Sequence, residues 1–131
     1  MCIFCKVVAG EIPSYKVYEN DKVFAFLDIR PVHPGHTLIV PKSHCLNIEE
    51  ATPEILFEII SAVKIIGKMI KEKLGVPGYN LVVNNDPASG QVVPHLHFHV
   101  VPRYDKDGSS HWKNREYENG EAEETLKKLL D

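Results

Sequence analysis

Apolar positions in this chain recur at two periods, and the periods divide it into elements. Leu56, Ile59, Ile60, Val63, Ile66, Met69, Ile70 and Leu74 return at steps of three and four, which predicts one long helix with an apolar face, broadened by Phe57 and Ile65. Thr52-Pro53-Glu54 starts it with a capping hydroxyl, a proline at the first helical position and a carboxylate near the positive end of the dipole. Lys68, Lys71 and Lys73 crowd its last turns, and Gly75 with Pro77 beyond closes it. Elsewhere the runs are short and strand-like. Lys16–Glu19 and Val23–Leu27, joined by Asn20-Asp21, predict a hairpin. His36–Val40 is a third strand stopped by Pro41, with His36 on the face of Leu38 and Val40. Tyr79–Asn84 is a fourth. Gly10–Ser14, His33–Gly35 and Asn85–Gln91 carry turn chemistry, residues 48–51 are ambiguous, and Glu121–Leu130 suits a short terminal helix. Cys2–Cys5 opens the chain with no element assigned.

The fifth strand is the informative one. His95, His97 and His99 alternate with Leu96, Phe98 and Val100, so the three imidazoles share one face and the apolar residues the other. Pro102 is expected to end the strand. Rings two residues apart on a strand stand roughly 7 Å from one another. Histidine titrates near neutrality, so such a row can supply a nucleophile, an acid or a metal ligand. Five strands, mostly hairpin-linked, and one long helix predict an α+β fold with an antiparallel sheet.

At 131 residues the chain is expected to be one domain, 1–131. A net charge of -3 argues against a nucleic-acid partner, and no apolar run is long enough to span a bilayer. The N-terminus has no signal-peptide pattern, so a cytoplasmic location is expected. Cys2 and Cys5 are too close for an ordinary framework disulfide; their spacing suits metal or redox chemistry. They supply two ligands where a closed site needs four; His44 and His95 are either ordinary surface histidines or the rest of a chemically complete Cys₂His₂ set.

The loop before the histidine strand holds Asn84, Asn85, Ser89, Gly90 and Gln91. Uncharged donors and a glycine make a poor cation cage but a reasonable anion cradle. Beside histidines they suit a phosphate attacked by one imidazole. Asp28 could accept both hydroxyls of a ribose, with Phe4, Phe26 and Ile29 forming an apolar slot for a base, or it could be a solvated turn residue.

These residues together resemble the histidine triad (HIT) family of nucleotide hydrolases and transferases. His95 to Val101 fits its His-φ-His-φ-His-φ-φ motif, φ being apolar. Further matches are Ile3–Lys6, Ala25–Ile29, Gly35–Lys42, Val83–Asn85 and Gly90-Gln91, so the resemblance covers residues 1–104, with 105–131 less diagnostic. It points to the bacterial and archaeal branch that begins with Cys-x-x-Cys. The resemblance implies a HIT-like fold: a five-stranded antiparallel sheet with one long and one or more short helices, and a homodimer that extends the sheet. It implies that His97 attacks the α-phosphorus of a nucleoside phosphoramidate or dinucleoside polyphosphate, forming a nucleotidyl-histidine that water hydrolyses. His99 would bind and stabilise the phosphate, and His36 would lie beside the triad. Asn85, Gly90, Gln91 and the Val92 N–H would hold phosphate oxygens, while Phe4, Phe26, Asp28 and Ile29 would bind a purine nucleoside. Structural zinc would sit on Cys2, Cys5, His44 and His95. Val92 stands where some members carry serine or threonine, so a hydroxyl near the leaving group is absent and polyphosphate substrates stay open. For attack, one nitrogen of His97 must be held as N–H, the acceptor expected being a carbonyl of a neighbouring strand. The alternatives are a nucleotide- or partner-binding module with little turnover, and a metal-centred enzyme ligated by triad histidines.

Overall fold

The computed structural model describes residues 2–108 and 114–131; Trp112 and Lys113 of the aromatic, charged tail lie outside them. Five strands form one antiparallel sheet: β1 (Lys16–Glu19), β2 (Val23–Leu27), β3 (Thr37–Pro41), β4 (Gly78–Val83) and β5 (Phe98–Arg103), in the spatial order β1-β2-β3-β5-β4. The helices are α1 (Ile3–Val8), α2 (Pro53–Leu74) and α3 (Glu121–Leu130). This is the α+β antiparallel architecture that the apolar pattern predicts.

The two faces of the sheet explain its sequence. Alternate side chains of a strand point to opposite faces. Val23, Ala25, Ile39, Leu96, Phe98 and Val100 pack with Ile59, Ala62, Val63, Ile66 and Ile70 of α2. Phe24, Phe26, Leu38 and Val40 point the other way, where Phe4 and Val7 of α1 cover them. Central strands covered on both faces read as continuous apolar runs, as β2 and β3 do.

Helix α2 begins where the caps place it. The Thr52 side chain accepts from the Ile55 N–H, and Gly75 ends it in the left-handed conformation at φ 68°. The buried stripe is narrower than the apolar pattern suggests: Phe57, Ile60, Ile65 and Leu74 are exposed, whereas Ala62 and Gly67 are buried. Gly67 is small for a reason, since a Cβ there would collide with the Tyr79 ring of β4. In the β1–β2 hairpin, Asn20 Oδ1 accepts from the N–H groups of Lys22 and Val23, closing the turn.

Helix α1 starts in the Cys2–Cys5 stretch, for which the sequence predicts no element, and is capped by the Cys2 sulfur accepting from the Cys5 N–H at 3.2 Å. Two local expectations need correction. The histidine strand begins only at Phe98, so His95 to His97 are irregular backbone. It also runs through Pro102, opposite Tyr79 of β4. There β3 has already ended, since it pairs with β5 only as far as Val100, and a proline is tolerated beyond a neighbour's end. Among the described residues no helix is long and apolar enough to cross a membrane.

Candidate functional site

The histidine triad divides between two clusters. His95 is fully buried and turned toward the N-terminus, whereas His97 and His99 face each other with ring centroids 5.1 Å apart. His36, at the foot of β3, joins the second group at 5.2 Å from the His99 ring. These rings lean closer together than an ideal strand would hold them.

The first cluster has four donor atoms in mutual contact. Cys2 Sγ and Cys5 Sγ lie 3.1 Å apart, and His44 Nδ1 and His95 Nδ1 are also 3.1 Å apart. The four sulfur–nitrogen separations run from 3.3 to 3.6 Å. Six similar separations define a near-regular tetrahedron, whose centre lies roughly 2 Å from each corner, in the zinc-ligand range. The far nitrogen of His95 agrees. Its Nε2–H donates to the Pro41 carbonyl at 2.9 Å, which leaves a lone pair on Nδ1. Contact with the Cys2 side chain, followed by burial, raises the Cys5 thiol pKa, a penalty that a cation among the sulfurs would reverse. The residues therefore fit zinc.

The second cluster is ordered by protons. The Val32 N–H donates to His36 Nδ1 at 3.0 Å. A neutral His36 then carries its proton on Nε2, which faces His99 Nδ1 at 3.0 Å and Asp28 Oδ2 at 3.6 Å. His99 accepts on Nδ1, so in its neutral form its own proton sits on Nε2. Burial, helped by His97 and His36 and opposed by Asp28, lowers the His99 pKa to about 4. Burial likewise lowers that of His36, against the pull of Asp28.

His97 lies between the clusters. Its Nδ1–H donates to the His95 carbonyl at 2.7 Å, so Nε2 keeps a lone pair. The acceptor is two residues upstream, not on a neighbouring strand, because the irregular 95–97 backbone turns that carbonyl out of the ladder. The Phe4 ring meets His97 edge-on at 5.0 Å and Phe26 at 5.6 Å. Phe4 and Phe26 are buried, and Ile29 is 82% exposed. Asp28 Oδ1 accepts from the Arg30 N–H, which leaves Oδ2 toward His36.

The loop before the triad divides its work differently from the expectation. The side chain of Gln91 is fully engaged: Oε1 accepts from the Asp86 N–H, and Nε2 donates to the carbonyls of Leu46 and Val93. It clamps the loop instead of offering a side-chain donor. The Gly90 N–H goes to the Pro87 carbonyl, with Gly90 itself left-handed at φ 102°. Asn85 Oδ1 accepts from the Ile48 N–H, which fixes the amide and leaves its NH₂ as donor. Val92 is exposed, and its N–H makes no hydrogen bond among the described residues. Val32 and Pro41, which set the protonation of His36 and His95, escaped the sequence reading because they act through backbone atoms that no residue type signals.

A sequence profile described as the HIT domain matches residues 9–106. The chain is 47% identical over 129 residues to an uncharacterised HIT-like protein of Methanocaldococcus jannaschii, covering 98% of each. It is 41% identical over 109 residues to the adenosine 5'-monophosphoramidase of Candida albicans, covering 80% of this chain and 72% of that one. Among solved structures, a HIT family member from Bacillus subtilis superposes with a TM-score of 0.87 at 40% identity, covering 98% of this chain and 94% of the other. A zinc-bound histidine triad protein from Mycobacterium smegmatis gives 0.80 at 32% identity, covering 98% and 95%. With His95–Val101 carrying the motif and the sheet shared with these structures, the chain belongs to the HIT-domain family.

Proposed function

We propose that this protein is a nucleotide hydrolase or transferase that cleaves at the α-phosphate of nucleoside phosphoramidates or dinucleoside polyphosphates. The observation that carries the reading is the held tautomer of His97, with Nδ1–H on the His95 carbonyl and Nε2 left as a nucleophile. Nε2 attacks the α-phosphorus, a P–N bond forms, and the leaving group departs with the bonding pair and takes a proton from solvent. Water then attacks the same phosphorus, the P–N bond breaks, and the nucleoside monophosphate is released with His97 restored. His99 Nε2–H, the NH₂ of Asn85 and the Val92 N–H are the donors for charge developing on the phosphate oxygens. Asp28 receives the ribose, and Phe4, Phe26 and Ile29 flank a purine base. The Candida relative's name supports phosphoramidate chemistry.

Cys2, Cys5, His44 and His95 would hold zinc, which when bound supplies a structural tether between the N-terminus and the histidine segment. The protein is also proposed to pair with a second copy. β4 is an edge strand with exposed Leu81 and Val82, and α2 leaves Phe57, Ile60 and Ile65 uncovered. Light scattering at micromolar concentration should give a dimer, and a monomer there would end this part of the reading.

The nucleophile is tested by mixing protein with a substrate panel, quenching rapidly at high pH and locating the adduct by mass spectrometry. A nucleotidyl group on His97 is expected, labile to acid. An adduct on His95 or His99, or turnover with none at all, would refute the assignment.

A further inference from the structure

We propose that the metal-ligand tetrad is a positioning device for His97 as well as a staple for the fold. The inference rests on His97 being the nucleophile. Three residues contact its imidazole, and the tetrad holds two of them, His99 being the third. The first is His95. Its backbone lies outside the regular strand, and its carbonyl shares a peptide group with the Leu96 N–H, which donates to the Cys45 carbonyl beside His44 at 2.8 Å. Three further anchors hold the residue itself. Its N–H donates to the Val93 carbonyl at 2.8 Å, its Nε2–H to the Pro41 carbonyl at 2.9 Å, and its Nδ1 faces the two sulfurs and His44. With the ring held at both nitrogens, the carbonyl is delivered to His97 Nδ1 at 2.7 Å.

The second anchored residue is Phe4, which lies between Cys2 and Cys5 on α1. A six-residue helix has little stability of its own. Only Phe4 and Val7 of α1 are buried against the sheet. Packing on Phe24, Phe26, Leu38 and Val40 holds the apolar side of α1, and the sulfurs on either side of Phe4 tie down its first turn, so the two together decide where the Phe4 ring stands. That ring lies edge-on to His97 at 5.0 Å and to His95 at 6.0 Å. His97 thus has a metal-anchored carbonyl on one nitrogen and a metal-anchored ring against its side. Loss of the metal removes one anchor from each at once, while the backbone hydrogen bonds of the His95 segment and the apolar packing of the sheet and α2 remain.

The consequence differs from that of a plain staple. A staple changes stability and leaves the remaining folded molecules fully active. A positioning device changes the chemistry within the folded population, and misplacing a reacting group by about 1 Å can cost roughly 10²-fold. His95 and Phe4 are then positioning residues acting through His97.

The test compares zinc-loaded protein, protein stripped with a chelator and protein reloaded with zinc. Each is checked for fold by circular dichroism. Proton–nitrogen NMR reads the His97 Nδ1–H, and nucleotide turnover is resolved into kcat and KM. Stripped protein that keeps its sheet should lose the hydrogen-bonded Nδ1–H signal. Its kcat should fall roughly 10²-fold with KM little changed, and zinc should restore both. An unaltered signal and kcat after stripping would overturn the proposal. If the stripped chain unfolds, zinc-loaded Phe4→Leu decides. A lower kcat with a weakened Nδ1–H signal upholds positioning, and a rise in KM alone overturns it. A chain that takes up no zinc also overturns it, while an adduct on His97 in that preparation would leave the nucleophile assignment intact.

Discussion

Among the described residues, two side-chain clusters offer the atoms of a metal site. Cys2, Cys5, His44 and His95 form one, and Asp28, His36 and His99 the other, with ligand atoms in each within 4.8 Å of one another. The donors alone do not tell them apart, because two histidines and a carboxylate are a respectable ligand set. The far nitrogens do. His95 gives its far N–H to a carbonyl, so a lone pair points into its cluster. His36 receives the Val32 N–H on its far nitrogen, so a proton points into its cluster. A metal beside His36 would have to remove that proton and leave an imidazolate. The first cluster thus suits a cation and the second the sharing of protons, and the atom that decides is a backbone group in both.

His97 touches both clusters, through the His95 carbonyl and the His99 ring, and breaking it should have the largest effect. His97→Asn is expected to lose turnover by roughly 10⁴-fold while still binding nucleotide. Single-turnover kinetics and equilibrium binding on the same variant separate the two properties, and near-normal turnover would remove His97 from the mechanism. The next effect separates the clusters. Cys2→Ser and Cys5→Ser should lose zinc and melt roughly 10 °C lower, equivalent to about 3 kcal/mol. His36→Leu should keep its zinc. Elemental analysis of all three decides, and zinc that disappears with His36 instead of the cysteines would reverse the comparison.

The same contrast governs what was legible beforehand. Helix α2 was readable because its caps are side chains, Thr52 and Gly75, and its period is long. The antiparallel sheet followed from short alternating runs. The four residues of the zinc set follow from the resemblance together with Cys-x-x-Cys spacing, and the structure does bring them together. Helix α1 was missed because six residues give no period to detect and a cysteine is not a recognisable cap. Alternation of histidine with apolar residues predicts one row on a strand from His95; the backbone regularises only at Phe98, so His95 turns away. Gln91 could not be read as a clamp, since its three partners are backbone groups of residues 46, 86 and 93. Residue types announce chemistry, whereas the hydrogen bond that sets a protonation state belongs to the backbone and becomes visible only in three dimensions.

A smaller effect tests the proton-sharing cluster directly. His36→Leu removes the N–H that faces His99 and frees His99 to adopt either tautomer. Losing one preorganised donor of this kind typically costs 10²-fold or somewhat more, so kcat should fall about that far. His36→Gln keeps an amide N–H of similar reach and should recover part of the loss. Equal defects in the two variants would show that His36 only fills space.

The smallest expected effect is on stability against pH. The groups facing His99 are His36, His97 and Asp28. Folding holds the His99 pKa near 4, against an ordinary value of 6.5, and lowers that of His36 as well. Between those two values the unfolded chain binds protons that the folded chain refuses. Acid therefore pulls the equilibrium toward unfolding. The stabilisation is complete above pH 6.5 and is lost progressively as the pH falls toward 4. Asp28 works in the opposite sense, because its charge favours protonation of both rings and shrinks the loss. Thermal melts of zinc-loaded protein at pH 7.5 and pH 5 should show a lower Tm at pH 5. His99→Gln carries no such titration and should narrow the gap, with zinc content measured at both pH values so that metal loss is counted separately. A gap of the same size in His99→Gln would place the acid sensitivity elsewhere in the molecule.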